Sequence, residues 1–283
     1  MKRYLGCFAL SVVLCFALIF SMVLICAVPT ATSAKTYVKI AEKENLAEKI
    51  YNEINLNFID LAGSTNIPKE VFDNSISVSQ IEEILPVYIG SLIDYTFKKR
   101  ESVFEINPDF TALEQNLTAF FNDFAIENNI ERDDAFLKQQ EKTIRETKEE
   151  IMSFLELNVF KKAVDILSPY AVKAKTYGYL AVAVLAVLSA LLLFALRFLD
   201  KKHLIFWLFM SILVSCLIIV CACLFLILTG AFDKFILSEI VIKTFVSSIL
   251  KTVVLKTIYL AFFVLALFLI LVFGILPRKQ KQN

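Results

Sequence analysis

The sequence predicts an all-α protein with four transmembrane helices and a helical extracytoplasmic domain between the first and the second. Three observations predict it. Leu5–Val28, Tyr177–Leu196, Leu204–Leu228 and Ile258–Leu276 carry no ionised side chain. A helical run of about 20 such residues crosses a hydrocarbon core of about 30 Å. In lipid only a helix or a closed barrel satisfies its own backbone, and these runs do not alternate as barrel strands do. The second observation is the charge split behind a net charge of +1. Pro29 to Lys175 holds 17 Lys+Arg and 25 Asp+Glu, a net of −8, and the rest of the chain holds 12 and 3, a net of +9. The third is helical periodicity of apolar residues throughout the acidic block.

Residues 1–4, "MKRY", form a basic cytoplasmic N-terminus ahead of the first span, 5–28. The stretch "VPTATSAKTYV" that follows has small residues suited to signal-peptidase cleavage after Ala34. Signal h-regions run about 7–15 residues. Leu5–Val28 has 24, so the reading is a retained anchor, an uncleaved signal. Cleavage would leave three spans with the acidic block on the same side. Ile25 before Cys26 does not suit a lipobox.

The outer domain is assigned to residues 29–176. Ala47, Ile50, Tyr51, Ile54, Phe58 and Leu61 share one helical face, and Gly63-Ser64-Thr65 ends that helix. Pro68 opens a short turn, "PKEVFD". Ser77 with Gln80, and Thr111 with Glu114, read as capping boxes. The first opens a helix with Ile81, Leu85, Tyr88 and Leu92 inward and a kink at Pro86. The second precedes Leu113, Leu117, Phe120, Phe121 and Phe124. A charged helix follows, with Asp134–Lys138 and Glu141–Arg145 at i,i+4. Leu137, Ile144 and Ile151 lie seven apart, but Gln140 and Thr147 fill the alternate positions, which does not make a coiled coil. Ser168-Pro169 suits a helix start, and the helix opened there is expected to continue through the second span.

The remaining segments alternate: span 177–196, basic loop 197–203, span 204–228, outer loop 229–257, span 258–276 and basic tail 277–283. "MKR", "RFLDKKH" and "PRKQKQN" hold 2, 3 and 3 Lys+Arg. Lys and Arg beside spans favour the cytoplasm, so both termini are expected there and the acidic block outside. In the outer loop, Glu239, Lys243, Ser247 and Lys251 recur every four residues, opposite Ile242, Phe245, Val246, Ile249 and Val253. That pattern fits a helix lying in the membrane interface, with Lys243, Lys251 and Lys256 facing lipid headgroups or the acidic domain. An outward extension of the fourth span fits it equally.

The residue inventory argues against an enzyme. The single histidine, His203, is placed in the cytoplasmic loop, and all six cysteines lie in the apolar runs. The outer block therefore has no His or Cys for a catalytic triad or a zinc site, and no HExxH, GxSxG, Walker or GxGxxG motif. Glu131, Asp133 and Asp134 are the densest carboxylate cluster; the glycine of a calcium-binding loop is missing, and the expected role is to complement a helix N-terminus. Asn116-Leu117-Thr118 matches the glycosylation triplet but falls inside an expected helix. No cofactor or metal is expected. Nucleic acid is not an expected partner, since the soluble part is acidic. The alanines Ala181, Ala183, Ala186 and Ala190 offer the smallest surface for helix packing.

The stretch "IPKEVFDNSISVSQIEEILPVYIGSLIDY", Ile67–Tyr95, resembles a class of clostridial (Firmicute) four-span integral membrane proteins with a helical extracellular domain after the first span. The resemblance implies a Gram-positive plasma membrane and brings no activity or site residues. The expected function is a non-enzymatic protein of the bacterial cell envelope. Its spans sit in the lipid bilayer, and its outer domain binds or scaffolds another envelope protein or a wall component. A transport or channel subunit, and a carboxylate-dependent wall hydrolase, are the alternatives.

Overall fold

A computed structural model describes residues 2–73, 75–99, 101–234 and 240–280. Among them the regular structure is helical, without a strand, and the chain divides into two compact units.

The helical unit takes residues 33–169 and 237–245. It contains α2 (Ala34–Lys43), α3 (Leu46–Thr65), α4 (Lys69–Phe72), α5 (Val78–Thr96), α6 (Thr111–Glu127) and α7 (Asp134–Leu155). Its core is made by the expected stripes: Ile50, Ile54 and Phe58 of α3, Ile81, Leu85, Tyr88 and Leu92 of α5, and Leu113 and Leu117 of α6 are all buried. At about 25 cal/mol per Å² of apolar surface removed from water, burying such side chains is the main force holding the unit together. α2 was not anticipated, although Tyr37, Ile40 and Ala41 have helical spacing; it packs on α5, where Gly90 faces Val38. The Ser77–Gln80 capping box forms. The one expected at Thr111–Glu114 does not: α6 starts at Thr111, Asp109 Oδ1 accepts from the Thr111 N–H at 2.9 Å and hydroxyl at 2.6 Å, and Glu114 pairs with Lys148.

On α7 the inward face carries Gln140, Thr147, Ile151 and Leu155, leaving Leu137 exposed. Of the three aliphatics seven apart, only Ile151 is buried, Ile144 being half-buried. Lys142–Glu146 and Arg145–Glu149, at 3.8 and 3.9 Å, are the i,i+4 pairs of this helix in place of those expected.

The membrane unit takes residues 1–32, 170–236 and 246–283. Among the described residues four helices are long and apolar enough to cross a membrane. They are α1 (Lys2–Ala31), α8 (Asn158–Leu199), α9 (Leu204–Leu228) and α10 (Ile240–Gln280). α8 does not start at Ser168-Pro169; both lie inside it. A proline within a helix removes the N–H that would meet the carbonyl four residues back. Here that carbonyl is Asp165, and the Ser168 hydroxyl donates to it at 3.4 Å, which lets the helix pass through. α10 likewise runs unbroken from Ile240 through the fourth apolar run, the geometry of an extended span.

Contacts within the membrane unit fix helix directions. Ser11 meets Ser211 and Cys15 meets Ser215, so α1 and α9 are parallel. Gly178 meets Val28 and Leu196 clusters with Cys7, so α8 is antiparallel to α1. Cys216 meets Ala261 and Phe209 stacks on Phe268, so α10 is antiparallel to α9.

Candidate functional site

Among the described residues polar groups concentrate at several places. The first is a seam inside the membrane unit. The Ser11 and Ser211 hydroxyls lie 2.6 Å apart, Ser211 also donates toward the Ser11 carbonyl at 3.1 Å, and Ser215 donates to the Cys15 carbonyl at 3.1 Å. Ser11, Ser211 and Ser215 are buried. The small residues Ser11 and Cys15, four positions apart on α1, meet Ser211 and Ser215 on α9, which lets the backbones approach. The docking surface is therefore this seam, while Ala183, Ala186 and Ala190 are exposed. Ser211 and Ser215 also bond to their own helix, as serines in apolar helices do. The hydroxyls are thus used in holding α1 to α9. Converting Ser11 and Ser211 to alanine, singly and together, should reveal a coupling of about 0.6–1.7 kcal/mol in a detergent unfolding titration; additive losses would remove the clasp.

The second place holds two of the three lysines singled out by the sequence. Lys251 Nζ lies 2.7 Å from Asp233 Oδ1, and the Ser247 hydroxyl is 3.2 Å from the same oxygen. Asp233 is presented by the tight turn after α9, in which Gly230 adopts φ +60°. Ser247 is buried, so the polar stripe of α10 faces this turn rather than only solvent. Lys256 Nζ donates to the Thr30 hydroxyl at 2.9 Å, and Thr30 is buried. Lys251 and Lys256 thus sit at the end of the membrane unit reached by Thr30, opposite Arg3. Lys243 is half-buried on the first turns of α10 and belongs to the helical unit; Glu239 lies outside the described residues.

At the Arg3 end, Arg3 contacts the Leu199 carbonyl and the Tyr4 ring is 6.5 Å from His203. His203 Nδ1 lies 3.0 Å from Asp200 Oδ2, and the Trp207 indole N–H points at the same carboxylate at 3.5 Å. Desolvation alone raises the Asp200 pKa, but the contacts from His203 and Trp207 together hold it below the usual carboxylate range.

The third place is the surface of the helical unit. Asp133 caps α7, accepting from the Phe136 N–H at 2.8 Å, and Asp134 stands in the first turn. Among the described residues no cluster of His, Cys, Asp and Glu is arranged to hold a metal. The acids at 131–134 are accordingly a helix N-terminal group. A different carboxylate set, which sequence spacing did not single out, surrounds an open groove of about 560 Å³ between α4 and α6. Glu70 and Asp73 line it from the α4 side, and Asp123, Glu127, Phe120 and Phe124 from α6. Asn116, the residue of the glycosylation triplet, donates to the Asp73 carbonyl at 3.3 Å and ties α6 to the end of α4. Asn116, Phe120, Asp123, Phe124 and Glu127 share one face of α6.

No protein-family model, curated protein or solved structure matches the chain.

Proposed function

We propose that the chain is a non-enzymatic, multi-pass protein of a bacterial cell membrane whose helical unit lies outside the cell and binds another envelope component. The single observation that carries the binding role is the open groove in which the exposed Phe124 ring lies among four carboxylates: a concave surface where apolar and polar groups converge is the default form of a binding site. The orientation has separate support. Arg3 and the loop with Lys201 and Lys202 lie at one end of the membrane unit, and α10 runs toward that end with Arg278 and Lys279 beyond its apolar run; basic residues beside spans favour the cytoplasm. The acidic block is then outside. Lys251 and Lys256 come to the outer lipid boundary, where long cationic side chains reach headgroups. α1 supplies half of the serine seam, which favours its retention, since cleavage would leave Ser211 and Ser215 facing lipid.

The test is photo-crosslinking in native membranes from position 124, with position 138 on exposed α7 as control. The expected result is one defined adduct from 124 and none from 138. Equal or absent crosslinking from the two would overturn the binding role.

A further inference from the structure

We infer that the groove between α4 and α6 receives a cationic amphipathic helix from a partner protein. The inference rests on the binding role proposed above and adds the chemistry of the partner. The α6 residues that line the groove run from Asn116 to Glu127, about 16 Å at the helical rise. Small-molecule sites bury most of their ligand in a concave pocket; this groove is open, and the α6 face that lines it is long enough to lie along a helix of about three turns. Its floor is apolar: Phe120 and Phe124 stack with centroids 6.1 Å apart, and Phe124 is 43% exposed. Its sides bear Glu70, Asp73, Asp123 and Glu127, with no Lys or Arg among the lining residues. Lys69 reaches Asp73 at 2.9 Å, leaving Glu70, Asp123 and Glu127 as the exposed anionic rim. Charge complementarity selects the occupant: an incoming helix with two or three apolar side chains at i, i+3 and i+4, flanked by Lys or Arg. Its apolar side chains cover the phenyl rings, its cations meet the rim, and a guanidinium or ammonium over Phe124 gains a cation–π contact. The rim charges set specificity and encounter rate more than affinity, so an acidic helix with the same apolar face is refused.

The experiment uses the full chain in phosphatidylcholine nanodiscs, with empty nanodiscs as control. The probe is a synthetic Leu/Lys amphipathic helix of about 14 residues; its counterpart has every Lys replaced by Glu. The Lys peptide should bind at least about ten-fold tighter than the Glu peptide, and weaken with added salt. Asp123→Lys with Glu127→Lys should weaken the Lys peptide about ten-fold, and Phe124→Ser should weaken it with little change in salt dependence. These positions are on the surface, and an unchanged helical circular dichroism spectrum checks the fold. Equal binding of the two peptides, or unchanged binding to the charge-reversed chain, overturns the inference. If the Lys peptide does not bind but the crosslinker at position 124 still captures a defined partner segment, the cationic chemistry falls and the binding role stands. If neither occurs, both fall.

Discussion

Replacing Gly178 by valine should take apart the packing of α8 on α1. A β-carbon at Gly178 would stand 2.7 Å from Cγ2 and 3.5 Å from Cγ1 of Val28. The first distance is inside van der Waals contact. Val28 cannot swing away, because a β-branched residue in a helix is held near one rotamer. Alanine therefore already forces the helices apart by a few tenths of an ångström, and valine by more. Overpacking of this kind costs about 1–3 kcal/mol, and separating α8 from α1 also exposes part of the interhelical contact. The detergent-solubilised Gly178→Val protein should melt well below the parent, with Gly178→Ala between them. Gly63 provides the control, since a β-carbon there meets nothing within 4 Å; Gly63→Ala should leave the melting temperature nearly unchanged. Equal melting of all four proteins would show that α1 and α8 do not pack as described.

Tyr88→Ala should be the most damaging single change in the helical unit. Tyr88 is 1% exposed, and its hydroxyl donates to the Glu156 carbonyl at 2.8 Å, tying α5 to the end of α7. Removing the ring from such a site costs about 3–5 kcal/mol. Tyr88→Phe keeps the ring and loses the hydrogen bond, at about 1 kcal/mol. The same residue makes stability depend on alkaline pH. Burial, and then the Glu156 and Asp165 carboxylates, raise the Tyr88 phenol well above the tyrosine range, and burial pushes Tyr37 up to about 12. The folded state therefore favours the neutral phenols. Their contribution is complete below the unfolded-chain value of about 10 and is lost as pH rises through the folded values. Stability of the full chain should stay level with respect to these groups from neutral pH to about 9, then fall above 10. Tyr88→Phe should remove part of that fall. A parent and a variant with identical alkaline profiles would contradict the assignment.

What the sequence made legible was what repeats. The four apolar runs, the α3 and α5 stripes and the Ser77–Gln80 box each announce themselves through spacing, and each has its helix. Features set by competition between neighbours were harder. Ser168-Pro169 has the chemistry of a helix start, but the serine hydroxyl satisfies the Asp165 carbonyl that the proline leaves open, so the pair sits mid-helix. Thr111 and Glu114 have the spacing of a capping box, but Asp109 and Lys148 take their polar groups first. The α1–α9 seam is hidden in the sequence because its small residues are cysteines and serines scattered in apolar runs, whereas the regular run of alanines lies on α8. The groove was missed for a different reason. Phe120 and Phe124 continue the stripe of Leu113 and Leu117, and periodicity alone does not say where along a helix the covering element ends. Here α4 is a single turn and stops beside Asp73, leaving the C-terminal half of the α6 stripe open.

The central claim is a four-span membrane protein with its helical unit outside, and the side each unit faces is its most direct consequence. The native cysteines all lie in the apolar runs, so introduced cysteines can be read with a membrane-impermeant maleimide on intact cells. Glu131→Cys lies in the exposed connection between α6 and α7, and Lys201→Cys in the exposed turn between α8 and α9. The account predicts that Glu131→Cys is labelled on intact cells and that Lys201→Cys is labelled only after lysis. Labelling of Lys201→Cys on intact cells, with Glu131→Cys protected until lysis, would contradict it.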